Sequence, residues 1–251
     1  MNKAVITTSW DDGCPLDLKL AELLLKYDTP ATFYIPVDNV ERKTLSFEEM
    51  RNIARYFDIG GHTYHHLDLT KISLAEVKKE VFTGKEKLEN IIGKELFVFC
   101  YPMGGYDFQI KNIVKSAGFA GARTSKSSTR QIKDLFSIGT TIHATERFFA
   151  HYIKAAIESV DLGLLGYMLR KKLFSKTWDR IAMETLDYVV NHGGIWHLWG
   201  HSWEIDARND WQKLTSVLSK VSMLPNRITR VNNSQLIKMH SDGNQGLNMQ
   251  K

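Results

Sequence analysis

The chain has 251 residues, of which 43% are hydrophobic, 24% charged and 11% aromatic. This balance is typical of a folded globular protein and excludes a disordered or fibrous chain. The 33 Lys and Arg residues outnumber the 28 Asp and Glu residues, for a net charge of +5. Because this excess is small and spread along the chain, we expect no nucleic-acid partner. Two cysteines, Cys14 and Cys100, are too few for a disulfide scaffold.

Strand-like and helix-like patterns alternate along the chain. The predicted strands cover residues 4–8, 31–37, 57–59, 96–99, 119–123 and 195–199. Helices are predicted at residues 15–26, 107–116, 146–160, 178–191 and 210–221. Two more begin at Ser46 and Ser73, each followed three residues later by a glutamate, which predicts a capping box. Strands separated by helices indicate an α/β fold with a mostly parallel sheet, and the length allows the sheet to close as a barrel.

The chain shows no internal repeat and no linker. We therefore predict a single domain over residues 1–240, followed by a polar, disordered tail over residues 241–251. No segment reaches the roughly 18 apolar residues that cross a bilayer. The first residues lack the apolar run of a signal peptide, so we expect a cytoplasmic protein. The basic and aromatic stretch 169–178 would make at most a weak peripheral membrane contact, and a plain surface helix explains it equally.

Adjacent carboxylates follow the first predicted strand, where parallel α/β folds place catalytic side chains. Asp11 and Asp12 come directly before Gly13. Two adjacent carboxylates repel each other, and they are best tolerated when a metal ion neutralises one of them. The other carboxylate is then free to act as a base near neutral pH. A solvated Asp-Asp-Gly turn is the alternative explanation of the tripeptide alone.

Three of the nine histidines, His62, His65 and His66, fall within five residues. One helical turn would place the imidazoles of His62 and His66 on one face, within reach of a shared cation, and His62 with His65 is also a geometric option. With a strand-end aspartate, such a pair makes a two-histidine, one-carboxylate site that binds zinc or another divalent ion. A pair with this spacing also occurs by chance on protein surfaces.

The segment from Tyr101 to Asp107 offers a third polar cluster. Pro102 and Met103 precede two glycines, which let backbone amides approach a ligand closely and therefore suit an oxyanion hole. A strand-to-helix turn with Asp107 as the N-cap explains the same residues.

The last predicted strand carries the fourth cluster. His197 and His201 share strand parity and would face the same side, with His201 nearer the carboxyl end, where it would protonate a leaving amine. Trp199 and Trp203 would form an apolar wall for a sugar ring, or would belong to the core.

Taken together, SWDDG, GGHTYHHLDLT and FCYPMGGYD resemble the motifs of the polysaccharide deacetylase family, also called carbohydrate esterase family 4 or the NodB-homology domain. Their order and spacing match over residues 4–125. The resemblance implies an α/β fold, a distorted (β/α)7-type barrel with fewer than eight regular strands. It also implies hydrolysis of acetyl groups on sugars with one divalent metal ion, zinc first and cobalt, nickel, manganese or iron as alternatives.

The resemblance implies a role for each matching residue. Asp11 would be the general base, and Asp12, His62 and His66 would hold the metal ion. Met103 stands where family members usually have tyrosine, and its backbone amide would donate to the oxyanion.

The resemblance also extends to the acid and to the substrate contacts. His201, or alternatively His197, would be the general acid. Many family members have an arginine at the position of Cys100 that orients the base, and Arg123 is the candidate substitute. Four side chains would contact the substrate: Tyr101, Pro102, Trp199 and Trp203.

Three functions remain open from the sequence. The first is metal-dependent removal of an acetyl group from an N-acetylated polysaccharide, oligosaccharide or cytoplasmic sugar precursor. The second keeps the metal site and acts on a non-sugar amide or a formyl group. The third is an inactive carbohydrate-binding scaffold, which the missing motif arginine favours and the retained aspartates and histidine pair argue against. The sequence does not define the oligomeric state.

Overall fold

The computed structural model describes residues 3–127, 129–146, 161–173 and 176–248. Within them, the strands are β1 (Ala4–Asp11), β2 (Ala31–Ile35), β3 (Asp58–Gly61), β4 (Val98–Cys100), β5 (Gly121–Arg123), β6 (Ile142–His143), β7 (Gly194–Gly200) and β8 (Thr229–Arg230). The α-helices of the same residues are α1 (Asp17–Lys26), α2 (Phe47–Ala54), α3 (Leu74–Ile92), α4 (Phe108–Ser116), α5 (Leu162–Arg170), α6 (Trp178–His192), α7 (Ser202–Ala207), α8 (Trp211–Ser222) and α9 (Asn233–Asn248). Two short 3-10 helices cover Leu69–Lys71 and Pro102–Gly104.

The strands form one parallel sheet in the order β5-β4-β3-β2-β1-β7-β6, with β8 paired to β1. Ile138 forms an isolated parallel bridge with Arg123 of β5, and a few residues later β6 pairs with β7. The segment 138–143 therefore connects the two ends of the sheet and curls it into a distorted barrel. The predicted α/β class and barrel-like parallel sheet are confirmed.

The helix ends follow the local sequence signals. Ser46 accepts from the Glu49 backbone N–H at 3.3 Å while the Glu49 carboxylate accepts from the Ser46 backbone N–H at 2.7 Å. Ser73 and Glu76 form the same reciprocal pair at the start of α3. Both predicted capping boxes are thus present, and they fix the entry of α2 and α3.

Several short elements were not predicted. Strands β6 and β8 have two residues each, too few for a periodic hydrophobic pattern. They are defined by pairing, β6 with β7 and β8 with β1. Helix α9 runs to Asn248, into the segment 241–251 that was expected to be a disordered tail. Most of the helix predicted over residues 146–160 lies outside the described residues. No helix in the described ranges is both long and apolar enough to cross a membrane.

The start of α9 closes the amino-terminal end of the barrel. The Asn233 side-chain amide donates to the Tyr34 hydroxyl at 2.9 Å and accepts from the Thr7 hydroxyl at 2.8 Å. The Asn233 backbone N–H donates to the Thr32 hydroxyl at 2.9 Å. This polar network fills the amino-terminal end of the barrel, opposite the carboxyl ends of the strands.

Candidate active site

A cavity of about 370 Å³ opens at the carboxyl ends of the strands, within the range of about 300–1,000 Å³ that is usual for small-molecule sites. All of the predicted site residues except His197 and Pro102 line it. The described residues of its wall are Asp11, Asp12, Glu41, Arg42, His62, His66, Tyr101, Met103, Gly104, Arg123, Ser125, Trp199, His201 and Trp203.

The two neighbouring carboxylates reach the same cavity because the strand ends between them. Asp11 is the last residue of β1, and Asp12 has a φ of 79°. In a continuous strand, adjacent side chains would point to opposite faces. Gly13 continues the turn with a φ of 60°, and a Cβ there would lie 2.8 Å from a methyl carbon of Ile35. The backbone therefore brings both carboxylates to one side at the cost of a left-handed turn.

The histidine pair lies on a loop, and the helical turn considered from the sequence is wrong. His62 follows β3 directly, and both Thr63 and His66 have a positive φ, 68° and 60°. The imidazole centroids of His62 and His66 are 4.8 Å apart. A loop with two left-handed residues thus achieves the proximity that one turn of helix would have given.

Helix α3 holds this loop in place. Glu80 accepts from the backbone N–H groups of Tyr64 and His65 at 3.1 and 2.8 Å, and its other oxygen lies 2.7 Å from His65 Nδ1. A Cβ on Gly84 would lie 2.6 Å from the Thr63 backbone. The pairing with Glu80 ties His65 to α3, so the option of His62 with His65 as ligands is not the one the fold builds.

The donor atoms of Asp12, His62 and His66 fit a divalent cation. Asp12 Oδ1 lies 3.1 Å from His66 Nε2 and 3.7 Å from His62 Nε2, and donors around tetrahedral zinc lie roughly 3.4 Å apart. The Asp12 Oδ1 atom is buried and has no hydrogen-bond partner among the described residues. The other oxygen, Oδ2, accepts from the Trp203 indole at 2.8 Å.

The protonation of His62 supports the same conclusion. His62 Nδ1 lies 2.8 Å from the Cys100 carbonyl oxygen, which can only accept, so Nδ1 carries the proton. Burial lowers the pKa of His62 below its usual value despite the neighbouring Asp12, and the neutral ring presents the lone pair of Nε2 to a carboxylate oxygen. A positive charge, either a proton or a metal ion, must lie between this lone pair and the carboxylate oxygen, and it also favours the ionised form of Asp12.

Asp12 itself is ionised. Burial raises the pKa of Asp12, but its contacts with the imidazoles of His62 and His66 outweigh burial and hold that pKa well below its usual range. A carboxylate that stays charged over the whole physiological range is the form that a metal ion requires.

Asp11 is held by different partners. Its Oδ1 is ion-paired with the Arg123 guanidinium, and both side chains are buried. The Cys100 thiol lies 3.8 Å from Asp11 Oδ2. Burial raises the pKa of Asp11, but the charge of Arg123 outweighs it, so that the pKa lies below its usual value. Asp11 is therefore a carboxylate beside the three side chains that could hold a metal ion.

Arg123 reaches Asp11 from β5, the strand next to the one that carries Cys100, where the resemblance leads us to expect an arginine. Cys100 of β4 and Arg123 of β5 are Cα partners in the parallel register. The guanidinium also lies over the rings of Trp199 at 4.6 Å and Tyr34 at 5.2 Å, and these aromatic faces stabilise its charge.

His201 and His197 occupy different environments. His201 lines the cavity, with Nε2 3.9 Å from Asp12 Oδ2 and Nδ1 2.6 Å from Glu204 Oε2. His197 is fully buried, its Nε2 lies 2.8 Å from the Ser9 hydroxyl, and burial together with the charge of Arg123 lowers its pKa to about 3. The predicted shared parity fails because β7 ends at Gly200 and His201 is already the N-cap of α7. Geometry thus disfavours His197 as the acid.

Other side chains cover part of the apolar surface that the sequence predicted for Trp199 and Trp203. The Arg42 guanidinium lies 3.5 Å from the Trp203 ring centroid, and His143 stacks on Trp199 at 3.9 Å with an interplanar angle of 10°. Tyr101 is buried and stacks on Tyr106, and its hydroxyl donates to a backbone carbonyl. Tyr101, Trp199 and Trp203 all line the cavity.

Met103 and Pro102 lie in the short 3-10 helix after β4. The Met103 side chain is exposed and its φ is 54°, while Pro102 is buried and is not one of the cavity-lining residues described above. The structure therefore does not place Pro102 among the cavity-lining residues, and its contact with substrate stays a prediction.

Sequence reasoning missed five residues in and around the cavity. Glu41, Arg42 and Ser125 line it, while Glu204 and His143 contact His201 or its carboxylate partner. A usable signal existed only for Glu204, which follows His201 by three residues, as the third residue of a capping box follows its N-cap.

Solved structures with similar folds share this architecture. The chitin deacetylase from the fungus Colletotrichum lindemuthianum aligns over 94% of this chain and 88% of its own, with a TM-score of 0.60 and 16% identity. A pseudoenzyme of carbohydrate esterase family 4 from Bacillus anthracis aligns over 94% of this chain and 66% of its own, with a TM-score of 0.53 and 13% identity. At these identities the likeness defines the class of fold alone.

Part of the sequence also matches a family model. The model described as polysaccharide deacetylase matches residues 1–122, which confirms the resemblance to that family. A peptidoglycan-N-acetylglucosamine deacetylase from Bacillus cereus is 29% identical over 94 residues, 37% of this chain. The matched region spans only 34% of the length of that relative.

Proposed function

We propose that this protein is a metal-dependent hydrolase that removes the acetyl group from an N-acetylated saccharide. The observation that carries the proposal is the division of labour between two adjacent carboxylates. Asp12 faces the imidazoles of His62 and His66, while Asp11 is bound by Arg123 and stays outside that set. Such a division supplies a metal site and an independent base within one cavity.

Each residue would have one task. A divalent ion held by Asp12, His62 and His66, with zinc the first to test, would polarise the acetyl carbonyl and acidify a water molecule. Asp11 would accept the proton of the attacking water through a carboxylate oxygen. The backbone N–H of Met103 would donate to the developing oxyanion, a contact typically worth about 3 kcal/mol.

His201 would complete the reaction. Its Nε2 would donate a proton to the departing sugar nitrogen as the C–N bond breaks, so that acetate and the free amine are the products. An amine anion is a poor leaving group, and protonation at this step is therefore needed. The Nε2 atom of His201 lies on the same side of the cavity as Asp12, 3.9 Å from its Oδ2.

The case for an inactive scaffold weakens with this geometry. That alternative depended on the missing arginine at position 100, and the Arg123 guanidinium now contacts Asp11 from the adjacent strand. Hydrolysis of a non-sugar amide or a formyl group keeps the same metal site and differs only in the acyl group and in what carries it.

The test is product release from a panel of N-acetylated sugars, sugar nucleotides and oligosaccharides. We expect acetate and no formate, a loss of at least about 100-fold after chelation, and recovery when zinc is returned, since the ion contributes several kcal/mol to the transition state. Release of formate, or turnover of a non-sugar amide alone, would favour the second function. Saccharide binding without turnover with any divalent ion would favour the scaffold.

A further inference from the structure

His201 belongs to a cluster of three side chains, with Glu204 and His143, in the part of the chain beyond the family-model match. Glu204 Oε2 is 2.6 Å from His201 Nδ1 and 2.9 Å from His143 Nε2. The His143 side chain is only 2% exposed, and those of His201 and Glu204 are 16% and 17% exposed. One carboxylate oxygen of Glu204 thus contacts two imidazoles.

The local structure builds this cluster from three separate elements. His143 on β6 is the Cα partner of Trp199 on β7 and stacks on its ring. His201 follows β7 as the N-cap of α7, and Glu204 in the first turn of that helix reaches back to it. A glutamate at the third helical position is well placed to contact the N-cap residue.

The distances indicate a hydrogen bond with His201 and an ion-pair contact with His143, and they argue against a second metal site. Contacts of 2.6 and 2.9 Å are ordinary for charge-assisted hydrogen bonds, whereas two ligands of one zinc ion stay roughly 3.4 Å apart. Burial raises the pKa of Glu204, but the two imidazoles outweigh burial and hold that pKa well below its usual range. Glu204 is therefore an anion between two imidazoles.

We propose that Glu204 and His143 are positioning residues for His201. Glu204 accepts the Nδ1–H of His201, which turns Nε2 toward the cavity and Asp12. His143 binds the same carboxylate oxygen from β6 and fixes its rotamer. The consequence for catalysis rests on the proposed function, but the arrangement itself is testable without any activity.

The first experiment observes the ring of His201 directly. In the full-length, zinc-loaded protein labelled with ¹⁵N-histidine, long-range ¹H–¹⁵N spectra at alkaline pH should show neutral His201 with its proton on Nδ1. Free histidine favours Nε2–H, so Glu204→Ala should return His201 to that tautomer, and His201→Gln assigns the signal. An unchanged tautomer in Glu204→Ala would overturn the proposal.

The second experiment compares two leaving groups. Glu204→Ala should lower kcat on the N-acetyl substrate about 100-fold with little change in KM, the usual scale of acid catalysis. Hydrolysis of an aryl acetate, whose phenolate leaves without protonation, should change less than about threefold. Equal losses on both substrates would contradict a role in positioning the acid.

Two substitutions of His143 distinguish a polar role of this side chain from a packing role. His143→Leu should lower kcat on the amide about tenfold, and His143→Gln, whose amide N–H can replace Nε2–H, should recover most of that loss. If packing against Trp199 were its only role, leucine would be the better substitute. His192→Gln, on α6 and bonded to the Tyr188 carbonyl, is the matched control.

A wild-type protein that shows the Nδ1–H tautomer but releases no acetate would refute the proposed function and leave the positioning intact.

Discussion

Asp11→Asn is expected to abolish acetate release while the protein still binds one divalent ion per chain. Asparagine keeps the shape of the side chain but cannot accept a proton from water. Loss of a general base typically costs 10²- to 10⁴-fold, and we expect about 10³-fold in kcat. Metal content by mass spectrometry and acetate release are measured on the same preparation.

The neighbouring substitution is the matched control for this prediction. Asp12→Asn removes the carboxylate that faces the imidazoles of His62 and His66, and it should therefore lose the ion. If Asp11→Asn lost the ion and Asp12→Asn kept it, the roles assigned to the two carboxylates would be reversed.

Arg123→Met should lower both activity and stability. Arg123 is 1% exposed and its guanidinium pairs with buried Asp11. Removal of one partner of a buried ion pair typically costs about 3–5 kcal/mol, because the other charge stays buried and unpaired. We expect a loss of that size in the free energy of unfolding by urea titration, and about a 100-fold drop in kcat as Asp11 loses its fixed position.

A compensating substitution distinguishes positioning from general destabilisation. Cys100 is the Cα partner of Arg123, and its thiol already lies 3.8 Å from Asp11. Arg123→Met combined with Cys100→Arg should therefore recover part of the lost kcat, since the guanidinium would approach Asp11 from the adjacent strand. Wild-type kcat in Arg123→Met alone would show that this ion pair has no part in the reaction.

The sequence was sufficient to predict the site residues whose position depends on the ends of the strands. Parallel strands align their carboxyl ends at one edge, so Asp11, Asp12 and His62 could be expected to meet although some fifty residues separate them. The spacing of His62 and His66 pointed to two imidazoles that do lie close together, but through the wrong local structure. Their proximity depends on left-handed residues and on Glu80 of α3, which no local pattern reveals.

The acid side of the cavity was less predictable. Strand parity placed His197 on the same side as His201, but the strand ends at Gly200, and of the two imidazoles only that of His201 lines the cavity. His143 lies on a strand of two residues, too short to leave a periodic signal. Its contact with Glu204 exists only through the register of β6 with β7.

The account depends most on one cation bound jointly by Asp12, His62 and His66. The direct measurement is zinc stoichiometry and affinity by isothermal titration calorimetry on the metal-stripped wild type, His66→Ala and His65→Gln. The account predicts one site per chain in the wild type, a loss of at least about 100-fold in affinity for His66→Ala, and wild-type binding for His65→Gln, whose ring is bonded to Glu80. Equal binding by all three proteins, or none by the wild type, would contradict it.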